Sequence, residues 1–204
     1  MTASTDLTSL FEEIKEKCLN KKVTGLCNKL IKKLSFSSGS DAENLCHLAY
    51  WLYVLEQTES AERCIDLTHN LVFDQNYNVW AFIHQMWGLE IRILREKGEN
   101  EKAESISKTI SEHHKIPLQS SKETQEHCDK REAARRENFT FADTSKQEKV
   151  NNAGDDRRTN DWRFIALLGL IGYTETGLYP HLSKDRKIIE QTISEYISKL
   201  RSAK

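Results

Sequence analysis

Histidines and cysteines are the side chains from which a metal site or a nucleophilic centre would most readily be built. Some of them lie near one another in four fragments of the chain, namely Cys46-His47, Cys64 with His69, His113-His114 and His127-Cys128. Structural zinc sites bring their ligands together at close, paired spacings, and none of the four fragments has such a spacing. The chain also lacks a glycine-rich phosphate loop and a nucleophile elbow. We therefore expect no metal ion and no other cofactor.

Arg63 and His69 form a different pattern, an arginine and a histidine with five residues between them. The guanidinium would hold a phosphate and the imidazole would transfer protons, a pairing that suits RNA cleavage without a metal. This spacing resembles the active-site motif of a helical ribonuclease family. A helix would place the two side chains about 600 degrees apart, so they share a face poorly. A metal-independent ribonuclease is thus one alternative to a non-enzymatic protein.

Glu90 interrupts the apolar flank of the most hydrophobic predicted helix. A buried carboxylate needs a partner or a raised pKa, and we expect an ion pair with an arginine such as Arg63 or Arg92. We interpret His84 as a core histidine that is hydrogen-bonded inside the protein. The other interpretation is a small-molecule sensor, whose pocket would be lined by Trp80, His84, Trp87, Glu90 and Trp162.

The third side of the same predicted helix carries small residues between polar ones. The residues at this helical spacing are Asn78, Ala81, Gln85, Gly88, Arg92 and Arg95. Either another backbone packs closely here, which we favour, or the stripe lines a groove that is open to a partner. The residues that would contact the partner are Asn78, Gln85, Arg92 and Arg95.

These side chains are positioned by a series of predicted helical hairpins. Apolar residues recur at spacings of three and four over 7–18 and again over 23–34, after a polar link at 20–22. Ser40 followed by Glu43 is a capping-box signature, which predicts that the next helix begins near residue 41.

Two later stretches, 45–68 and 87–110, repeat one helix-turn-helix pattern. Residues 55–61 match residues 97–103, each with an acidic turn and an alanine near its end. Large residues of the first helix would interlock with that alanine, which allows close approach of the paired helices. The positions involved in the first copy are Leu45, Leu48, Ala49, Leu52, Ala61 and Ile65, and those in the second are Trp87, Ile91, Leu94, Gly98 and Ala103.

These positions resemble the signature of tetratricopeptide repeats. The chain departs from that signature at Glu56, where the family usually has glycine, and at Ser107, where it prefers a large apolar residue. Its two turns also lie 42 residues apart rather than 34. The resemblance implies an all-α fold in which antiparallel hairpins stack as a right-handed bundle, with a surface that receives a protein or peptide.

The predicted organisation is a single all-helical domain over residues 1–204, with stacked hairpins at 5–115. Residues 119–160 are almost devoid of apolar side chains, which predicts a polar, partly disordered insertion. Residues 161–202 regain apolar periodicity and predict a C-terminal pair, a buried helix followed by an amphipathic helix that caps the stack.

Composition limits the classes of partner. Thirty basic and thirty-one acidic residues nearly cancel, so nucleic acid is an unfavoured partner. No apolar run approaches the roughly 20 residues of a membrane span, and five cysteines at mostly apolar positions indicate a reducing, cytoplasmic environment. The leading hypothesis is therefore a non-enzymatic helical-repeat protein that binds another protein or peptide. It includes a bacterial immunity or antitoxin-type inhibitor or an adaptor.

Overall fold

The computed structural model describes residues 3–116, and residues 187, 190, 191, 194, 195, 197 and 198 nearer the C-terminus. This part of the chain contains six α-helices in its N-terminal range and no strand, which confirms the all-α prediction at that level. The helices are α1 Ala3–Lys17, α2 Lys21–Lys32, α3 Gly39–Val54, α4 Thr58–Asp66, α5 Tyr77–Glu96 and α6 Asn100–Lys115. None of the described helices has the length and apolar composition to cross a bilayer.

The link between α1 and α2 lies where the sequence predicts it. Asn20 is the N-cap of α2, and its side-chain oxygen accepts hydrogen bonds from the backbone N–H groups of Lys22 (2.9 Å) and Val23 (3.5 Å). These bonds satisfy donors that the first helical turn leaves without intrahelical partners. Apolar residues of both helices are buried, as their periodicity indicates: Leu10, Phe11, Ile14, Cys18, Val23, Cys27 and Leu30.

The start of α3 differs from the capping-box prediction. The helix begins at Gly39, its N-cap is Ser38, and the Ser38 side chain makes no capping hydrogen bond. Ser40 therefore lies inside the first turn. The adjacent carboxylate of Asp41 instead accepts a hydrogen bond from the backbone N–H of Ser35 at 3.0 Å, which holds the preceding loop. The helix thus begins two residues before the predicted start, and Ser40 is not its N-cap.

The turns that end α3 and α5 share one backbone geometry. Glu56 and Gly98, the aligned turn residues, have φ angles of 63° and 80°. In the first turn, the N–H of Glu56 donates to the carbonyl of Tyr53, and the N–H after Glu56 donates to Leu52. In the second turn, the N–H of Gly98 donates to the carbonyl of Arg95, and the N–H of Glu99 donates to the carbonyl of Leu94. This pair of bonds is the Schellman motif that ends many helices.

The centre of the described fold is formed by α3 and α5. Helix α3 packs against α2, α4 and α5, whereas α5 packs against α3, α4 and α6. Both helices are buried on most sides, as the apolar flank of α5 predicted. Among the largest fully buried side chains of the core are Leu45, Leu48, Tyr50, Leu52, Ile65, Ile83, Met86, Leu89 and Ile91.

Part of the predicted stripe on α5 is a packing surface. A Cβ atom at Gly39 would lie 2.6 Å from the carbonyl oxygen of Asn78, so only glycine permits this approach of α3 to α5. Gln85 is buried and makes two hydrogen bonds with α3. Its side-chain oxygen accepts from the thiol of Cys46 (3.8 Å), and its backbone carbonyl accepts from the Tyr50 hydroxyl (2.9 Å). The close-packing interpretation thus describes this half of the stripe.

The predictions for the later chain lie largely outside the described residues. These are the polar insertion at 119–160, the C-terminal helical pair at 161–202 and the side chain of Trp162. Of the predicted capping segment, residue 197 is buried, while 187, 191, 194, 195 and 198 are exposed. Residues 1–115 and 168–204 belong to the same compact unit, in which Glu190 contacts Arg92.

Candidate functional site

Glu90 pairs with a histidine. Nε2 of His69 lies 3.1 Å from Oε1 and 3.0 Å from Oε2 of Glu90. His69 belongs to the turn that follows α4, whereas Glu90 lies in the second half of α5. The two arginines predicted as partners are engaged elsewhere, Arg63 with Glu13 (2.8 Å) and Arg92 with Glu96 and Glu190. The prediction of an arginine partner for Glu90 was therefore wrong.

The imidazole of His69 is held by Trp87. The two rings stack with centroids 5.6 Å apart and planes inclined by 12°. Trp87 is anchored in turn, because its indole N–H donates to the Thr68 hydroxyl at 2.9 Å and that hydroxyl donates to the carbonyl of Ile65 at 2.7 Å. Trp87 and Thr68 are both buried. The position of His69 therefore follows from the core that lies beneath it.

Asp66, the last residue of α4, completes a group of three. The ligand-type atoms of Asp66, His69 and Glu90 all lie within 4.8 Å of one another, and the described residues contain no other such group. Asp66 and His69 are exposed, and the Glu90 side chain keeps 16% of its surface exposed. The arrangement thus brings one imidazole nitrogen and two carboxylates together at one point, where Asp66 and His69 are open to solvent and Glu90 is mostly buried.

Two sources of negative potential surround His69. One is the pair of carboxylates, and the other is the C-terminus of α4, where the helix dipole favours cations. The hydrogen bond with Glu90 raises the pKa of His69 above its ordinary value, against the opposing effect of partial burial. This corner of the molecule accordingly favours a positive charge, supplied by a protonated imidazole or by a bound cation.

Three side chains of the predicted pocket, Trp80, His84 and Trp87, lie in contact with one another as core residues. Trp80, His84 and Trp87 are 2%, 3% and 6% exposed, and their ring centroids lie 5.6 to 5.9 Å apart, which is contact distance. Nε2 of His84 is 3.0 Å from Nδ1 of His113, in agreement with the interpretation of His84 as a hydrogen-bonded core histidine. Burial lowers the pKa of His84 to about 3, with help from His114 and His113.

The 42-residue spacing of the two turns predicts an inserted loop at Phe73 to Asn78, but sequence reasoning gave no role to Phe73 and Asp74, which complete this aromatic cluster. Phe73 stacks on His113 with centroids 4.1 Å apart, and its edge meets the ring of Trp80. Asp74 accepts a hydrogen bond from the indole N–H of Trp80 at 2.8 Å and another from the backbone N–H of Asn76 at 3.0 Å. One signal was available, because an aspartate two residues before an asparagine is a common turn former.

Comparison with known proteins places the chain in a family. A family model matches residues 2–202, and its description is a family of unknown function, DUF6707. The chain belongs to the DUF6707 family. No curated protein and no solved structure matches it. The family description names no activity, so the function of this DUF6707 protein has to be inferred from its side chains.

The predicted partner-binding residues of this DUF6707 chain are unequally accessible. Asn78 is exposed and Gln85 is buried, while Arg92 and Arg95 are half-buried. Nη1 of Arg92 lies 3.0 Å from each carboxylate oxygen of Glu190, and its Nε donates to the Tyr53 hydroxyl at 3.0 Å. The end of the stripe that is formed by Arg92 and Arg95 is therefore the part that combines charge with access.

The two residues of the ribonuclease hypothesis belong to different ion pairs. Arg63 binds Glu13 of α1, and His69 binds Glu90 of α5. Both side chains remain partly exposed, at 46% and 36%. The ribonuclease stays a prediction for this DUF6707 protein. The test is RNA cleavage by the parent and by the Arg63→Ala and His69→Ala variants, and an inactive parent or fully active variants would exclude it.

Proposed function

We propose that this protein is a non-enzymatic helical-hairpin protein that binds another protein or peptide. The supporting observation is the repeated turn at Glu56 and Gly98, which ends two successive first helices with the same pair of hydrogen bonds. In a stack of hairpins, each unit contacts its neighbours and the assembly presents an extended surface to a partner. The direct packing of α3 on α5 and of α4 on α5 fits such a stack, and we propose the right-handed arrangement of tetratricopeptide repeats.

The proposed contact surface is the Arg92 and Arg95 end of the stripe on α5. Arg92 already holds a carboxylate with both oxygens at 3.0 Å, which shows the chemistry that its guanidinium accepts. An arginine engages a planar carboxylate through several directed hydrogen bonds. The partner segment that fits this surface best is therefore acidic, and its carboxylate competes with Glu190 for Arg92.

Within this class we propose a cytoplasmic inhibitor of the bacterial immunity or antitoxin type, or an adaptor. The four cysteines of the described range, Cys18, Cys27, Cys46 and Cys64, are buried and form no disulfide bond with one another. Burial raises the pKa of Cys27 to about 12 and also raises that of Cys64, so both thiols stay protonated. Inert buried thiols of this kind suit a reducing compartment.

The test is affinity capture from the native cell, quantified by mass spectrometry. The bait would be the full chain, compared with a double variant, Arg92→Ala with Arg95→Ala. The matched control is Lys102→Ala with Lys108→Ala, which removes two exposed positive charges from α6 instead. We expect one partner that the parent and the control recover equally and that the Arg92 and Arg95 variant loses at least about tenfold.

A further variant separates binding from folding. Glu190→Gln removes the charge that occupies Arg92, so partner recovery should rise, whereas Glu195→Gln changes an exposed carboxylate that binds Gln191 and should have no effect. Circular dichroism would establish that each bait is folded. Equal recovery with all baits, or no partner enriched by the parent, would reject this surface as the site of binding.

A further inference from the structure

We propose that Asp66, His69 and Glu90 bind a divalent transition-metal cation of the zinc class. This inference does not depend on the partner-binding proposal, because the three residues lie at the junction of α4 and α5 and include none of the residues of the proposed contact surface. It also reverses the expectation from sequence, which found no metal-ligand spacing among the histidines and cysteines.

The distances are those of a site that needs little rearrangement. Bonds of about 2.0 to 2.2 Å from zinc to nitrogen and oxygen place tetrahedral ligand atoms about 3.4 Å apart. Nε2 of His69 is already 3.0 and 3.1 Å from the oxygens of Glu90, and all three groups fall within 4.8 Å. The cation would replace the proton that Nε2 shares with Glu90, and that proton would be released to solvent. Asp66 is exposed and free to rotate its carboxylate, so a change of side-chain torsion closes the remaining gap.

The ring of His69 is held in place before any cation arrives. Trp87 covers one face of the imidazole, and the Thr68 hydroxyl fixes Trp87 through a bond of 2.9 Å. The ring therefore keeps Nε2 directed at Glu90. Outer groups that orient a ligand in this way raise the affinity of metal sites, because less conformational freedom is lost on binding.

Glu90 has acceptor capacity that the protein leaves unused. Its Oε2 atom is buried and makes no hydrogen bond of good geometry among the described residues, although it lies 3.0 Å from Nε2 of His69. The hydrogen bond from His69 is made to Oε1 instead. A carboxylate oxygen removed from water costs free energy unless it gains a donor or a cation. A bound metal would supply that missing interaction.

The repeat shows that a carboxylate is not required for packing at this position. The 42-residue spacing of the two turns places Glu90 where the first hairpin has Leu48, which is fully buried. A hairpin of the same backbone thus packs with a leucine at this point. The carboxylate of the second hairpin instead faces His69 and the end of α4, where the helix dipole favours a cation.

The donor set selects the class of ion. One imidazole and two carboxylates suit zinc and its neighbours in the first transition row better than calcium, which prefers six or more oxygens. Cys64 lies near in sequence, but its side chain is fully buried in the core and does not reach the solvent-facing group. The site is therefore of the nitrogen and oxygen type, with water in the remaining coordination positions.

The test uses the full chain after removal of metals with a chelator. Titration with Zn²⁺ would be followed by calorimetry, and titration with Co²⁺ by its visible absorption, which reports coordination number. We expect one ion per chain and a Co²⁺ spectrum without a thiolate charge-transfer band. His69→Gln and Asp66→Asn should each weaken Zn²⁺ binding by at least about tenfold, and Glu90→Gln should do so too.

The matched control is Glu62→Gln on the same helix, α4. It removes a carboxylate that pairs with Lys97 away from the three residues, so Zn²⁺ binding should not change. Asp66 and His69 are exposed, which keeps the test valid if the Glu90 variant fails to fold. Absence of binding by the parent at about 1 mM Zn²⁺, or equal binding by the Asp66 and His69 variants, would overturn the proposal.

Discussion

The hairpin formed by α3 and α4 and the hairpin formed by α5 and α6 share a backbone turn but differ in what they bury. At matched positions the first hairpin has Leu48 and Ile65, both fully buried, whereas the second has Glu90 and Ser107. The first also carries a strained Glu56 where the second has Gly98. The first hairpin thus has apolar side chains at both matched positions, while the second has polar or charged ones.

The largest expected effect comes from exchanging the side chains at the matched positions Leu48 and Glu90. Leu48→Glu would place a carboxyl group at a position with no solvent exposure. The group must either stay protonated at neutral pH or be buried as an unsolvated charge, and both cost free energy. We expect a loss of about 4 kcal/mol or more in the free energy of unfolding. The reverse change, Glu90→Leu, should alter the free energy of unfolding by less than about 1 kcal/mol, because the His69 ring that remains is exposed and can lose its proton to water. Urea denaturation followed by circular dichroism measures both.

Leu48→Gln controls for the change of shape in that experiment. It should cost less than Leu48→Glu at neutral pH, since an amide carries no charge to desolvate. If Glu90→Leu proved as damaging as Leu48→Glu, the ion pair with His69 would be a structural requirement, and the second hairpin could not be described as carrying a dispensable carboxylate.

A second, smaller effect should appear on acidification. Burial lowers the pKa of His84 in the second hairpin to about 3 and that of His47 in the first to about 4, whereas an unfolded chain binds these protons near pH 6.5. The unfolded state therefore binds more protons below pH 6.5, and stability is lost as pH falls from there. Each histidine should cost about 2 kcal/mol between pH 7.5 and 5.0.

The measurement is the urea midpoint at both pH values, for the parent and for His84→Gln. The groups that face His84 are His113 and His114 of α6, so no described carboxylate compensates its proton. The variant should lose about 2 kcal/mol less than the parent on acidification, whatever its stability at pH 7.5. His69 acts in the opposite direction, because its raised pKa stabilises the folded state at low pH. If the parent and His84→Gln lost the same stability between pH 7.5 and 5.0, His84 would not be buried as a neutral ring.

The helices were predictable because periodicity reports burial directly. Apolar spacings of three and four placed α1 and α2 correctly, and the alignment of residues 55–61 with 97–103 found two turns that share both hydrogen bonds. The boundary of α3 was not predictable in the same way. Gly39, the first residue of α3, lies against the backbone of Asn78 in α5, and a tertiary contact of this kind cannot be inferred from local spacing.

The candidate site was predictable only in part. Glu90 stood out as a charge within an apolar helix, and His69 stood out in a different pattern, but their pairing depends on how α4 crosses α5. Twenty-one positions separate the two residues along the chain. From charge alone we expected an arginine as the partner of Glu90, since arginine is always protonated. In the structure the partner is His69, whose ring is held beside Glu90 by stacking on Trp87.

The smallest expected effects test the turn itself. Non-glycine residues in the left-handed region cost about 1 kcal/mol, so Gly98→Ala should destabilise the protein by that amount. No atom lies within 4 Å of a Cβ built at Gly98, so the loss would come from the backbone alone.

Glu56→Gly should be more stable than Glu56→Ala by up to about 1 kcal/mol, because alanine removes the same side chain but keeps the strain. If the alanine and glycine variants at Glu56 unfolded at the same urea concentration, the two turns would differ in energy despite their common hydrogen bonds. The glycine of the second hairpin would then have been selected for a reason other than its φ angle.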